Sequence, residues 1–143
     1  MKILVIDAQG GGLGKQIISS IKKDYPDVFV MAVGTNTAAT AAMLKAGADE
    51  AATGENAVMV ASRRANVIIG PIGIVIADAM LGEITPKMAC AVAQADAKRI
   101  LIPFANCDNY IAGISETSIG KLVEDAVKYL KTMLDNKTDT KIC

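Results

Sequence analysis

The sequence of 143 residues contains no histidine. Histidine is the usual general acid or base near neutral pH and a common metal ligand, so its absence excludes Ser-His and Cys-His nucleophile pairs and His-ligated metal sites. The candidate general bases that we consider are the carboxylates of Asp7, Glu55, Asp78 and Glu83.

Aromatic residues and net charge are also scarce. Aromatics make up 3% of the chain, and 15 basic residues balance 15 acidic ones. The chain therefore lacks the aromatic surfaces on which single-stranded nucleic acids stack, and it lacks the net positive charge that attracts polyanions. We expect no nucleic-acid partner.

Cysteines are few and widely spaced. Cys90, Cys107 and Cys143 form no CxxC pair, so neither a zinc site nor a disulfide framework is indicated, and we predict no metal. Lys2 leads straight into the first apolar run without a signal-peptide pattern. These features predict a cytoplasmic protein.

Long hydrophobic runs are missing as well. The most apolar stretch, Asn66–Leu81, is shorter than the roughly 20 residues that span a bilayer, and glycine, proline and aspartate interrupt it. We interpret this stretch as buried core and expect no membrane partner.

Short apolar runs that alternate with segments of helical period dominate the rest of the chain. This alternation is typical of a parallel sheet covered on both faces. It predicts one three-layer, doubly wound, mostly parallel α/β domain over residues 1–134, Rossmann-like with strand order 3-2-1-4-5, followed by a polar, frayed tail over 135–143. The predicted strands, of which the last is a candidate sixth edge strand, are 2–7, 28–33, 49–52, 66–70, 99–104 and 110–114.

Start signals place the helices between these strands. Asn36 or Thr37, Thr53 and Ser118 are candidate N-caps, and Thr85 before Pro86 is a further one. The last helix should begin at Ser118, and Met88, Ala89, Val92 and Ala93 should face inward in the helix after Thr85. For residues 71–81 we expect a turn followed by a buried helical stretch. The apolar segment 73–81 is also a candidate dimer interface that could close the site.

A glycine-rich loop follows the first predicted strand in "VIDAQGGGLGK". Gly10, Gly11, Gly12 and Gly14 lie where doubly wound sheets bind ligands, beyond the carboxyl end of the strand where strand order reverses. Glycines allow close backbone approach, and the next helix offers free N–H groups and a positive dipole end. The expected ligand group is a phosphate or another small anion.

Neither standard nucleotide motif is complete. Lys15 stands where G-x-G-x-x-G/A requires a small residue, and the second strand ends in "GTN" instead of a ribose-binding acid. Gln9 and Gln16 occupy the first glycine and the hydroxyl position of a P-loop. NAD(P) or another nucleotide therefore stays a candidate cofactor without being identified.

The candidate binding residues lie at the carboxyl ends of the predicted strands. Each has a structural alternative: Asp7 can staple the loop, Lys15 can be solvated, Glu55 and Asn56 can belong to a helix cap, and "GPIG" can be a simple turn. The full set is Asp7, Gln9, Gly10, Gly11, Gly12, Leu13, Gly14, Lys15, Gly34, Thr35, Asn36, Glu55, Asn56, Gly70, Pro71 and Gly73.

No catalytic residue can be assigned, and whether the protein is an enzyme stays open. Asp78 and Glu83 flank "AMLG" in apolar sequence, where each is either a general base or a hydrogen-bonded structural acid. Cys107 is a candidate thiol without a histidine partner.

Four stretches, "VIDAQGGGLGK", "GTNTAATAAMLKAGADEAATGEN", "VIIGPIGI" and "AMLGEITPKMA", together resemble a small bacterial family of Firmicutes-type genomes that is classified as a domain of unknown function. The resemblance covers roughly residues 1–134. Typical members have glycine where this chain has Ala8. The resemblance implies a small Rossmann-like cytoplasmic protein and no particular activity.

Three functional hypotheses follow. The first is a domain that binds a nucleotide or similar phosphorylated ligand, with Gly10–Gly14 on phosphate, Thr35 and Asn36 beside the ribose, Gly70–Gly73 as the facing lip, and a homodimer closing the site. The alternative is a non-catalytic assembly subunit whose glycine loop is architectural. A minimal P-loop-like NTPase, or an enzyme that uses a carboxylate base, is the least favoured reading.

Overall fold

The computed structural model describes residues 1–103, 109–115 and 117–136. In that part of the chain, five parallel strands form one sheet in the order β3-β2-β1-β4-β5, as the sequence predicted. The strands are β1 (Ile3–Asp7), β2 (Val30–Gly34), β3 (Glu50–Thr53), β4 (Val67–Pro71) and β5 (Lys98–Ile102).

Helices cover both faces of this sheet and complete the three layers. They are α1 (Gly12–Asp24), α2 (Thr37–Lys45), α3 (Glu55–Arg64), α4 (Pro86–Gln94) and α5 (Ile119–Asp135), and a short 3₁₀ turn spans Ile72–Val75. Helices α1, α2 and α5 share one apolar core with the sheet, and α3 and α4 share the other.

The central strands are buried on both faces, which explains their continuous apolar sequences. In the register of the sheet, Asp7 at the end of β1 is level with Gly34 at the end of β2. The loops that follow these two strands therefore emerge side by side. Strand order reverses between β1 and β4, which defines the switch point of the sheet.

Three predicted helix starts are confirmed by side-chain caps. Asn36 accepts a hydrogen bond from the N–H of Ala39, Thr85 from Met88 and Ser118 from Lys121. The predicted Thr53 cap is wrong, because the N-cap of α3 is Gly54, which has no side chain to donate or accept.

Two other local predictions need correction. Residues 110–114 form no strand; a turn at residues 112–113 interrupts them, so they do not add a sixth edge strand. Residues 76–81 form successive turns instead of a buried helical stretch, and Leu81 there is 98% exposed. Ala93 is exposed, whereas Met88, Ala89 and Val92 are buried as predicted.

In the part of the chain that the structure describes, no helix is long and apolar enough to cross a membrane. Cys107 and the end of the predicted tail, residues 137–143, lie outside the described residues.

Candidate functional site

A cleft of about 610 Å³ opens at the switch point, between the glycine loop after β1 and the segment after β4. Its volume lies in the range of small-molecule sites. We call residues 76–83, which form much of one wall, the strap. The described residues that line the cleft are Asp7, Ala8, Gln9, Gly10, Gly11, Gly12, Leu13, Gln16, Pro71, Ile76, Ala77, Asp78, Ala79, Met80, Leu81, Asn109 and Ile119.

Asp7 fixes the shape of the glycine loop from below. Its Oδ2 accepts the N–H of Gly14 at 2.7 Å and its Oδ1 accepts the N–H of Ala8 at 2.8 Å. Gly11 then adopts the left-handed conformation, with φ of 71°, and serves as the N-cap of α1. An added Cβ there would lie 2.7 Å from the Cα of Ala39, so the turn requires glycine.

Two amides of the loop are left without partners. Among the described residues, nothing accepts a hydrogen bond from the N–H of Gly10 or Gly12. Gly12 is the first residue of α1, where backbone donors have no acceptor within the helix and the helix dipole is positive. This end of the cleft therefore presents two backbone hydrogen-bond donors and the positive end of a helix dipole.

Burial raises the pKa of Asp7 above its ordinary value of 3.8, and the negative charge of Glu83 adds to the rise. The hydrogen bonds from the amides of Gly14, Ala8 and Leu13 oppose this shift without overcoming it. The raised pKa means that the folded protein holds the proton of Asp7 more tightly than the unfolded chain does.

We therefore expect Asp7 to make stability fall as pH rises. Between 3.8 and the folded-state pKa, the native state binds more protons than the unfolded state, so the free energy of unfolding decreases across this window and is level above it. The free energy of unfolding in urea, measured for wild type and Asp7→Asn from pH 3.5 upward, isolates this effect, because the two proteins share all their other titratable groups. Wild-type stability minus variant stability should fall with pH; a difference that rises would contradict the assigned shift.

Glu83, at the end of the strap, binds the loops that follow β1 and β2. Its carboxylate accepts the N–H of Gln9 at 3.0 Å, the hydroxyl of Thr35 at 3.0 Å and the Nδ2 of Asn36 at 2.6 Å. Of the two roles considered for Glu83, this geometry shows a hydrogen-bonded acid. Asp78 is exposed, so the apolar surroundings expected for it are wrong.

The strap presents an apolar surface in an unusual backbone conformation. Asp78, Met80 and Leu81 all have positive φ, of 63°, 55° and 58°. Non-glycine residues rarely adopt this conformation, and it costs on the order of 1 kcal/mol or more each time. Hydrogen bonds between the backbones of Asp78 and Ile84, and of Ile84 and Ala79, hold the strap in this shape.

The structure brings together part of the predicted binding set. Residues of that set that line the cleft are Asp7, Gln9, Gly10, Gly11, Gly12, Leu13 and Pro71. Thr35 and Asn36 instead bind Glu83, and Glu55 accepts a hydrogen bond from the hydroxyl of Thr85 at 2.6 Å. Those outside the cleft lining are Gly14, Lys15, Gly34, Thr35, Asn36, Glu55, Asn56, Gly70 and Gly73.

Several lining residues were not in the predicted set. They are Ala8 after β1, Gln16 on α1, the strap residues 76–81, Asn109 and Ile119. The unbroken apolar sequence of 72–76 suggested core, and no periodicity reveals that the following turns fold back over the glycine loop. Gln16 has a simple signal, since it lies one helical turn after Gly12.

The fold and the cleft define a doubly wound α/β domain with a ligand-sized opening at its switch point. A family model described as a domain of unknown function, DUF3842, matches residues 2–135, and the chain belongs to this family. No curated protein matches the chain. Among solved structures it is similar to a dodecameric FMN-dependent Ubix-like decarboxylase from Escherichia coli O157:H7, at 18% identity and a TM-score of 0.47, over 92% of this chain and 76% of that chain.

Proposed function

We propose that this protein binds a small phosphorylated ligand, such as a nucleotide, in the cleft at the switch point. The phosphate would accept hydrogen bonds from the free N–H groups of Gly10 and Gly12, and the remainder of the ligand would contact the apolar strap. This arrangement matches the usual composition of ligand sites, in which a few polar groups orient a molecule held against apolar walls.

The observation that carries the proposal is a difference between the glycines. Gly14, Gly34 and Gly70 are packed so closely that an added Cβ would collide with neighbouring atoms. Gly10 and Gly12 have no atom within 4 Å of an added Cβ, and neither has a positive φ. The fold therefore does not require glycine at these two positions. A ligand that approaches the backbone closely would require it, because any side chain would occupy the ligand's space.

Thermal unfolding with added ligands tests this proposal. The panel should contain inorganic phosphate, AMP, FMN, NAD and a sugar phosphate, with sodium chloride at matched ionic strength as the control. A ligand present at 100 times its dissociation constant stabilises the fold by about 2.7 kcal/mol. For a domain of this size we expect the midpoint to rise by about 5–10 °C. If no member of the panel raises the midpoint at millimolar concentration, the proposal is wrong.

The homodimer expected to close the ligand site is supported by the exposure of Leu81. This side chain is 98% exposed in the strap, where it lines the cleft. We propose that a second copy of the chain covers it and closes the site as a homodimer.

Sedimentation velocity of Leu81→Asp tests this dimer. A buried carboxylate without a partner opposes association, so the variant should sediment as a monomer under conditions where wild type is a dimer. Leu44→Asp is the matched control, since Leu44 is a half-exposed leucine on α2. An unchanged sedimentation coefficient for Leu81→Asp, or a monomeric wild type, would contradict the proposed interface.

A further inference from the structure

We infer that Glu83 determines which nucleotides fit: it closes the β2 half of the crevice, so that the site accepts a mononucleotide and excludes a dinucleotide. The inference rests on the proposed function and specifies its ligand class. Three observations carry it, namely the position of the carboxylate, the saturation of its partners and its charge.

The carboxylate of Glu83 lies where the second nucleotide of a dinucleotide would extend from the glycine loop. In doubly wound sheets that bind dinucleotides, the pyrophosphate lies on the loop after β1 and one ribose lies at the end of β2. Here the carboxylate of Glu83 bridges those two loops, since it accepts hydrogen bonds from Gln9 after β1 and from Thr35 and Asn36 after β2. Among the described residues, the lining of the cleft includes Gln9, Pro71 and residues 76–81 of the strap but neither Thr35 nor Asn36.

The polar groups at the end of β2 have little capacity left for a ligand. Asn36 uses its Oδ1 for the N–H of Ala39, and its Nδ2 donates both to Glu83 and to the carbonyl of Gln9 at 2.8 Å. A side-chain amide has two N–H groups, and both are engaged. A ribose at this end would have to break hydrogen bonds that fix the strap.

Charge opposes a second phosphate in the same place. The carboxylate of Glu83 lies on the β2 side of the glycine loop, and Asp7 lies beneath that loop within electrostatic reach of it. A phosphate extending toward β2 would approach the carboxylate of Glu83, and like charges repel strongly when they are partly desolvated. The amides that would bind the phosphate belong to Gly10 and Gly12, which line the cleft, whereas Thr35 and Asn36 do not line it.

Calorimetric titration with two matched ligand pairs tests this inference. NMN and NAD differ by an AMP extension, and so do FMN and FAD. For wild type we expect at least one mononucleotide to bind about tenfold or more tightly than its dinucleotide, a difference of about 1.4 kcal/mol. In Glu83→Ala, which removes both the bulk and the charge, the two affinities should approach each other.

Glu83→Gln separates charge from bulk and guards against a misfolded alanine variant. The amide keeps the size and one acceptor oxygen, so the preference for the mononucleotide should shrink without vanishing. A dinucleotide that binds wild type as tightly as its mononucleotide would overturn the inference and leave the proposed function standing. If none of the four ligands binds, the assignment to nucleotides is wrong, and the titration with inorganic phosphate decides whether the anion site exists.

Discussion

Substitution of Gly70 by alanine will lower the free energy of unfolding by about 3 kcal/mol, the upper part of the range for overpacked cores. Gly70 lies in β4, and an added Cβ would collide with the carbonyl oxygen of Ile6 in β1 and lie 3.0 Å from the Cδ1 of Ile74. The carbonyl belongs to the central strand of the sheet and cannot rotate away. The strands on both sides of the switch point would have to separate.

Urea denaturation of Gly70→Ala and Gly120→Ala measures this effect against a matched control. Gly120 lies on the exposed surface of α5 with nothing within 4 Å of an added Cβ, so alanine there should stabilise the helix by about 1 kcal/mol or less. The midpoint for Gly70→Ala should fall while the slope stays constant. If the two variants unfold at the same midpoint, the packing between β1 and β4 described above is wrong.

The Gly12→Val substitution will abolish ligand-induced stabilisation without unfolding the domain. Because an added Cβ meets no protein atom within 4 Å, the valine fits the fold, but its methyl groups enter the space above the free amides. A ligand that stabilises wild type by about 2.7 kcal/mol should therefore leave the midpoint of the variant unchanged.

Gly120→Val is the control for this loss. It places the same side chain near the first turn of another helix, at a position that does not line the cleft, so ligand-induced stabilisation should persist. Retained binding by Gly12→Val would mean that the phosphate lies elsewhere, even if the protein binds the ligand.

The strand order and most helix starts could be predicted because they depend on local patterns. Buried parallel strands give continuous apolar runs such as "ILVI", and caps such as Asn36 and Thr85 act on amides only two or three residues ahead. The glycine loop was also predictable, since the end of β1 adjoins the switch point in this strand order.

The strap could not be predicted, because its conformation depends on distant contacts. Its apolar sequence is typical of a buried helix, yet Met80 and Leu81 adopt positive φ and Glu83 binds Gln9, 74 residues away in the chain. No sequence spacing indicates that an acid after β4 will lie at the end of β2. The prediction that Thr35 and Asn36 lie beside a ribose did not include the carboxylate of Glu83, to which both side chains donate hydrogen bonds.

The most direct test of the central claim is an NMR titration of the ¹⁵N-labelled protein with the ligand that most raises its thermal midpoint. We expect the backbone amides of Gly10 and Gly12 to show the largest chemical-shift changes, because they would donate hydrogen bonds to the phosphate. Another cavity among the described residues, of about 560 Å³ between β5 and α5, provides an alternative location. Shifts centred on Ile100 and Tyr129 there, with Gly10 and Gly12 unmoved, would contradict a phosphate site at the glycine loop.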